Sequence, residues 1–202
     1  MYIYLKRLFD ILLGLIGVII LVPVIFVLKG IFLACFDYGD MLYFQERVGK
    51  NGKHFKMYKF RTMVENADEK LDMLLKNERY RKEWEESQKL ENDPRITKIG
   101  KILRKTSLDE LPQMWNVLVG DMSLIGPRPL VPGELEAHGG TELYWKVKPG
   151  ITGWWASHGR SDIDYTERLE MEYYYVKNLS FKLDMICFFK TVFGVLTAKG
   201  AK

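Results

Sequence analysis

Ile11-Leu-Leu-Gly-Leu-Ile-Gly-Val-Ile-Ile-Leu-Val-Pro-Val-Ile-Phe-Val-Leu28 is an unbroken apolar run, and after Lys29 and Gly30 the apolar character resumes through Phe36. About 20 apolar residues suffice to cross a hydrocarbon core, so length permits a span. Lys6 and Arg7 precede the run, as in a signal peptide, but no small-residue cleavage site follows it. The flanks argue against a span. Arg47, Lys50, Lys53, Lys56, Lys59 and Arg61 lie beyond it, and basic flanks prefer the cytoplasmic side. A hairpin that enters and leaves through one leaflet satisfies both ends. Pro23 lacks a backbone donor and can bend the helix at that point. The prediction is a re-entrant helix–break–helix over residues 1–36, broken at Pro23. Asp10, beside Lys6 and Arg7, is either an anchoring ion pair or ordinary interfacial charge.

Composition narrows what the remainder can be. A chain of 202 residues builds one domain with a modest core. Charged residues make up 28% and the net charge is +4, which excludes a disordered or acidic protein. The slight basic excess suits an anionic partner such as membrane phosphates or nucleotide phosphates. The chain carries no stacking-aromatic nucleic-acid motif, so nucleic acid is not expected as a partner. Cys35 and Cys187 lie in apolar stretches without metal-ligand spacing and read as buried free thiols.

Arg104 to Pro129 reads R-K-T-S-L-D-E-L-P-Q-M-W-N-V-L-V-G-D-M-S-L-I-G-P-R-P. Ser107 and Glu110 have the spacing of a capping box. Pro112 offers another helix start, and Gly120 a stop. Asp109 then lies close to a positive helix end, which favours a carboxylate. An ionised Asp can attack phosphorus and hold a covalent intermediate. A neighbouring Glu can hold Mg²⁺ together with substrate phosphates, and flanking arginines such as Arg104 and Arg128 can neutralise phosphate through forked hydrogen bonds. Spacing alone leaves helix capping as the alternative for the Asp–Glu pair. Met57–Met63 alternates in period two and is predicted to be a strand with Lys59 and Arg61 on one face. Asn51-Gly52 ahead of it signals a hairpin turn. Glu65–Asn92 reads as one or two surface helices, Ile96–Lys105 as a basic helix and Gly133–Lys148 as a linker or excursion. Phe181–Ala198 reads as an interfacial or core-packing helix.

S-L-D-E-L-P-Q, N-V-L-x-G-D-M-S-L-I-G-P-R-P and K-P-G-I-T-G resemble the monotopic polyprenyl-phosphate phosphoglycosyl transferases that initiate bacterial glycan assembly. The resemblance extends to K-R-x-x-D at Lys6–Asp10, F-Q-x-R-x-G at Phe44–Gly49 and Y-K-F-R-T-M at Tyr58–Met63. It also covers G-R-S-D at Gly159–Asp162 and Y-Y-V-K-N-L-S at Tyr174–Ser180. The chain departs from the family's Ser-Pro break, with Val22 before Pro23, and from its usual residues at Ala156 and His158.

The resemblance implies an α/β, mainly helical fold in its small catalytic-core form: the re-entrant hairpin, interfacial amphipathic helices and a small β-element around the active site. Residues 37–202 would form a catalytic domain on the cytoplasmic face of the inner membrane. It implies sugar-1-phosphate transfer from a UDP-sugar to polyprenyl phosphate, with Asp109 as nucleophile, Glu110 holding Mg²⁺, and Lys59, Arg61, Thr62, Arg104, Arg128 and Arg160 near substrate phosphates. It leaves room for a homodimer, and G-R-S-D points to glucose or galactose. Two other classes stay open at this stage. One is a single-span protein with a phosphate-binding regulatory domain; the other is a membrane-anchored scaffold in which the Asp–Glu pair is only a cap.

Overall fold

The computed structural model describes residues 2–35, 38–87, 90–158 and 164–196. Helix α1 (Tyr2–Ala34) runs through Pro23 without interruption. The break expected there is not a gap in the helix: a proline removes one donor and one carbonyl acceptance, and the turns on either side hold. The helix buries a single stripe, Asp10, Gly14, Gly17, Leu21, Leu28 and Phe32, at intervals of three, four and seven residues. The other faces are exposed and apolar, with Ile19, Phe26 and Val27 prominent.

Strands β1 (Leu42–Val48) and β2 (His54–Phe60) form an antiparallel hairpin in register from Leu42 opposite Phe60 to Val48 opposite His54. Its turn contains Asn51 and Gly52 at φ 58° and 73°, the left-handed conformations that the Asn-Gly pair supplies. The strand therefore begins and ends three residues earlier than the alternation suggested. Met63 bridges to Ile96 instead. Helices α2 (Ala67–Leu74) and α3 (Glu78–Ser87) form the expected surface excursion. Arg95 closes it, gripping Asp93 with both ends of its guanidinium and lying 5.4 Å from the Trp84 ring.

Helix α4 (Lys98–Thr106) leads through a 3-10 turn, Leu108–Glu110, into α5 (Gln113–Val119). Strands β3 (Ser123–Ile125) and β4 (Gly150–Thr152) pair in parallel. Of the two readings of the stretch between them, linker or excursion, the structure shows the excursion. It holds α6 (Glu134–Ala137) and a 3-10 turn over Glu142–Lys146, whose Leu135 and Tyr144 are buried with Leu130 and Leu169. Helices α7 (Trp154–His158), α8 (Tyr165–Lys177) and α9 (Phe181–Leu196) complete the fold.

The K-R-x-x-D segment clamps α1 to three other elements. Lys6 pairs with Asp184 of α9 at 2.5 Å. Arg7 donates to the Val117 and Leu118 carbonyls at the end of α5, where a cation meets the negative helix terminus. Asp10 is buried and accepts hydrogen bonds from Ser123 Oγ and the Leu124 amide at 3.0 and 2.9 Å. The ion-pair reading of Asp10 is thus corrected, because the carboxylate satisfies donors of β3. Asp184 faces inward to Lys6, Tyr2 and Tyr175, so the outer face of α9, with Phe189 and Phe193, is more apolar than its sequence suggests. Cys187 is buried as expected, but Cys35 is exposed at the end of α1.

Candidate active site

The Asp109–Glu110 turn is held from three directions. Thr97 caps α4 by accepting the Gly100 amide at 2.9 Å, and its own amide donates to the Thr62 carbonyl at 3.0 Å. Gly100 is required there, since a Cβ would collide with that Thr62 carbonyl. With α4 lying against Thr62, Arg104 in its last turn donates from Nε to Thr62 Oγ1 at 2.9 Å. Ser107 then ends α4 in the left-handed conformation, φ 55° and ψ 17°, and makes no side-chain cap. The predicted capping box is therefore absent. Ser107 reverses the chain after one helix, and its hydroxyl does not start the next.

Helix α5 starts at Gln113, after Pro112, and ends at Gly120 with φ 98°, the expected left-handed stop. It is fastened to β2 by Asn116, which is fully buried. Asn116 Oδ1 accepts the Tyr58 amide at 3.1 Å and its Nδ2 donates to the Lys56 carbonyl at 2.7 Å. This brings Lys59 over the turn, where Nζ meets Glu110 Oε1 at 2.8 Å. Asn116 lies within the N-V-L motif, but its role as a tie between helix and strand is a tertiary fact that no spacing reports.

Asp109 is half-buried. Loss of solvent and the charge of Glu110 raise its pKa above the ordinary carboxylate value, while the charges of Lys59 and Arg104 pull it down. Lys59 thus meets Glu110, Arg104 lies close enough for its charge to act on Asp109, and Thr62 holds Arg104 in place. Arg61 is placed differently. It is buried, its guanidinium donates to the Asp40 and Met63 carbonyls, and it lies 5.3 Å from the Phe32 ring. Arg128 belongs to another cluster, 5.7 Å from the Trp155 ring, with Arg47 and Arg168 nearby. Arg160 and the G-R-S-D motif lie outside the described residues.

Among the described residues no group of three or more His, Cys, Asp or Glu side chains is placed to cage a metal. Two adjacent, partly exposed carboxylates are nonetheless a donor set that suits Mg²⁺, which takes one or two protein carboxylates and completes its shell with water and phosphate oxygens.

A profile of a family described as bacterial sugar transferase matches residues 1–198. The UDP-galactose-lipid carrier transferase of Erwinia amylovora is 47% identical over 200 residues, which cover 98% of this chain and 42% of that protein. The undecaprenyl-phosphate galactose phosphotransferase of Salmonella typhimurium is 48% identical over 200 residues, with the same coverage of each. The exopolysaccharide production protein ExoY of Sinorhizobium fredii is 41% identical over 198 residues, 97% of this chain and 87% of its own length. The chain therefore spans less than half the length of the first two relatives and most of the third.

Proposed function

The chain belongs to the bacterial sugar transferase family, and from that premise we propose that it moves a sugar-1-phosphate from a UDP-sugar to polyprenyl phosphate. The products are a polyprenyl-diphosphate sugar and UMP. The observation that carries this reading is the Asp109–Glu110 turn, with Lys59 on the dyad and Arg104 pinned beside it by Thr62.

The Asp109 carboxylate attacks the sugar-linked phosphorus of the donor, and the bond from that phosphorus to the oxygen bridging the two phosphates breaks. UMP leaves with the bond's electron pair, and an aspartyl-phosphosugar intermediate, an acyl phosphate, remains. A phosphate oxygen of the lipid acceptor then attacks the same phosphorus and releases the Asp109 carboxylate. Lys59 and Arg104 lower the energy of charge gathering on the phosphoryl oxygens, and the raised pKa of Asp109 makes its carboxylate a stronger base toward phosphorus. Glu110 would hold Mg²⁺, which supplies Lewis-acid neutralisation of the diphosphate when bound. Glu110 must then share its Lys59 contact with the metal.

Residues 1–36 form the membrane element of this reading, a re-entrant arrangement that keeps residues 37–202 at the cytoplasmic face, where a nucleotide sugar and a lipid phosphate can meet. Glucose and galactose are the donors to try first: G-R-S-D hints at a hexose, and two relatives carry galactose in their names. The test is rapid-quench labelling with a UDP-sugar radiolabelled in the sugar-linked phosphate. Wild type is expected to carry label on Asp109 before lipid phosphate is added, with release of UMP, and Asp109→Asn to carry none. Label on another residue, or UMP release that needs both substrates together, contradicts the scheme.

A further inference from the structure

Arg61 precedes the Thr62 that holds Arg104, yet its own side chain lies against α1. The guanidinium is 5.3 Å from the ring of Phe32, a buried residue in the last turn of that helix. Its Nε donates to the Asp40 carbonyl and its Nη1 to the Met63 carbonyl, the latter at 3.3 Å. The Arg61 amide donates to the Met41 carbonyl at 2.8 Å. One residue thus joins the end of α1, the connection at residues 40–41 and the segment that follows β2.

That segment is fastened to α4 as well. The Thr62 carbonyl accepts from both the amide and the hydroxyl of Thr97, at 3.0 and 3.4 Å. Met63 bridges to Ile96, and the Val64 amide donates to the Arg95 carbonyl at 2.9 Å. Thr62 Oγ1 accepts from Arg104 Nε. Two adjacent side chains therefore connect α1 to the cation beside Asp109: Arg61 reaches α1 and Thr62 reaches α4.

Apolar packing backs the same residues. Leu21 and Leu28 of α1 are buried with Phe60 and Leu103, and Leu111 packs against that cluster. Phe60 stands between Lys59 and Arg61, Leu103 precedes Arg104, and Leu111 follows Glu110. Each segment that brings a charged group to the dyad thus has an apolar neighbour seated on α1. Such packing is non-directional and leaves a helix free to slide. A guanidinium donates in fixed directions and stacks by its face on an aromatic ring, so it sets the register that the apolar contacts leave open. Burying it is favourable only because its hydrogen bonds are made.

We propose that Arg61 is a positioning residue that makes α1 part of the catalytic geometry: it ties the last turn of α1 to residues 61–63, and Thr62 passes that position on to Arg104. Arg61 itself meets no substrate. The proposal rests on the transfer reading for the role of Arg104, but half of its test needs no transfer.

The test is a double-mutant cycle between Arg61→Lys and Thr62→Val on UMP release, with the full chain in phospholipid nanodiscs and folding checked by circular dichroism. Each single variant is expected to lower kcat about tenfold to a hundredfold, with KM for the UDP-sugar little changed. The double variant is expected to match Thr62→Val alone, because the relay is already cut; losses that multiply would overturn it. A loss in KM alone would place Arg61 at the substrate and overturn the positioning role. Hydrogen exchange on the substrate-free proteins supplies the second readout. Arg61→Lys is expected to speed exchange in residues 97–107 and to leave α8 and α9 as in wild type. Wild-type exchange in residues 97–107, or a uniform rise along the chain, would contradict the join. Should Arg61→Lys not fold, Phe32→Leu removes the ring beneath the guanidinium and carries the same expectations at smaller size. A wild-type chain that releases no UMP from any UDP-sugar sinks the transfer reading, and the exchange pattern then still decides the join.

Discussion

Asp109 occupies a turn in which burial and Glu110 oppose its ionisation and two cations favour it. Its folded-state pKa lies above the unfolded one, so the folded chain keeps the proton to higher pH. The contribution to stability is favourable below the ordinary carboxylate range, about pH 3.9 for an unfolded Asp, and is lost as pH rises through the folded value. Asp109→Asn, which cannot ionise, is therefore expected to melt above wild type at pH 7 without divalent cation, with the gap closing as pH falls toward 4. Thermal melts of both proteins across that range check this; a gap that widens on acidification contradicts the sign. The dyad itself was legible in S-L-D-E-L-P-Q, but its backbone was not. Ser107 and Glu110 have the spacing of a capping box, yet α4 needs a residue with positive φ to end it and Ser107 serves there. Spacing carries no information about φ.

At the scale of elements, the site depends on the join between α5 and β2, and that join is one side chain. Replacing Asn116 with Leu keeps its volume but leaves the Tyr58 amide and the Lys56 carbonyl unpaired in the interior. The expected cost is about 2–6 kcal/mol, at about 1–3 for each of the two stranded groups, seen as a lower melting temperature. Turnover should fall as well, because β2 carries Lys59 to Glu110. Wild-type stability in that variant would remove Asn116 from the join. Helices α1, α4 and α9 and the β1–β2 hairpin were readable because periodicity or turn chemistry marks them. Residues 133–148 were not, since Leu135 and Tyr144 owe their burial to Leu130 and Leu169 on other elements. The cluster of Arg47, Arg128 and Arg168 escaped for the same reason: its members lie far apart in the chain and meet only through the fold.

At the scale of the whole molecule, the question is how α1 meets the bilayer. Thirty-three residues make a helix about 50 Å long at 1.5 Å per residue, while the hydrocarbon core is about 30 Å thick. The buried stripe of α1 nevertheless reaches from Asp10, on β3, to Leu28, packed with Phe60 and Leu103. Spanning would carry those partners into the membrane, and with them Arg61 and Arg104, whose charges are costly there. A helix that stays in one leaflet avoids this. It leaves the outward aromatic residues Trp115, Phe189 and Phe193 to enter the interface, with Lys190 next to Phe189 in sequence to meet anionic headgroups. Tyr4 and Tyr38 are 82% and 74% exposed near the two ends of α1, so single cysteines there report its topology once Cys35 and Cys187 have been replaced by serine. Both cysteines are expected to react with a membrane-impermeant maleimide in inverted vesicles and to be protected in right-side-out ones. Labelling of the two ends from opposite sides would establish a span and would put the dyad's supporting residues at a depth their charges do not tolerate.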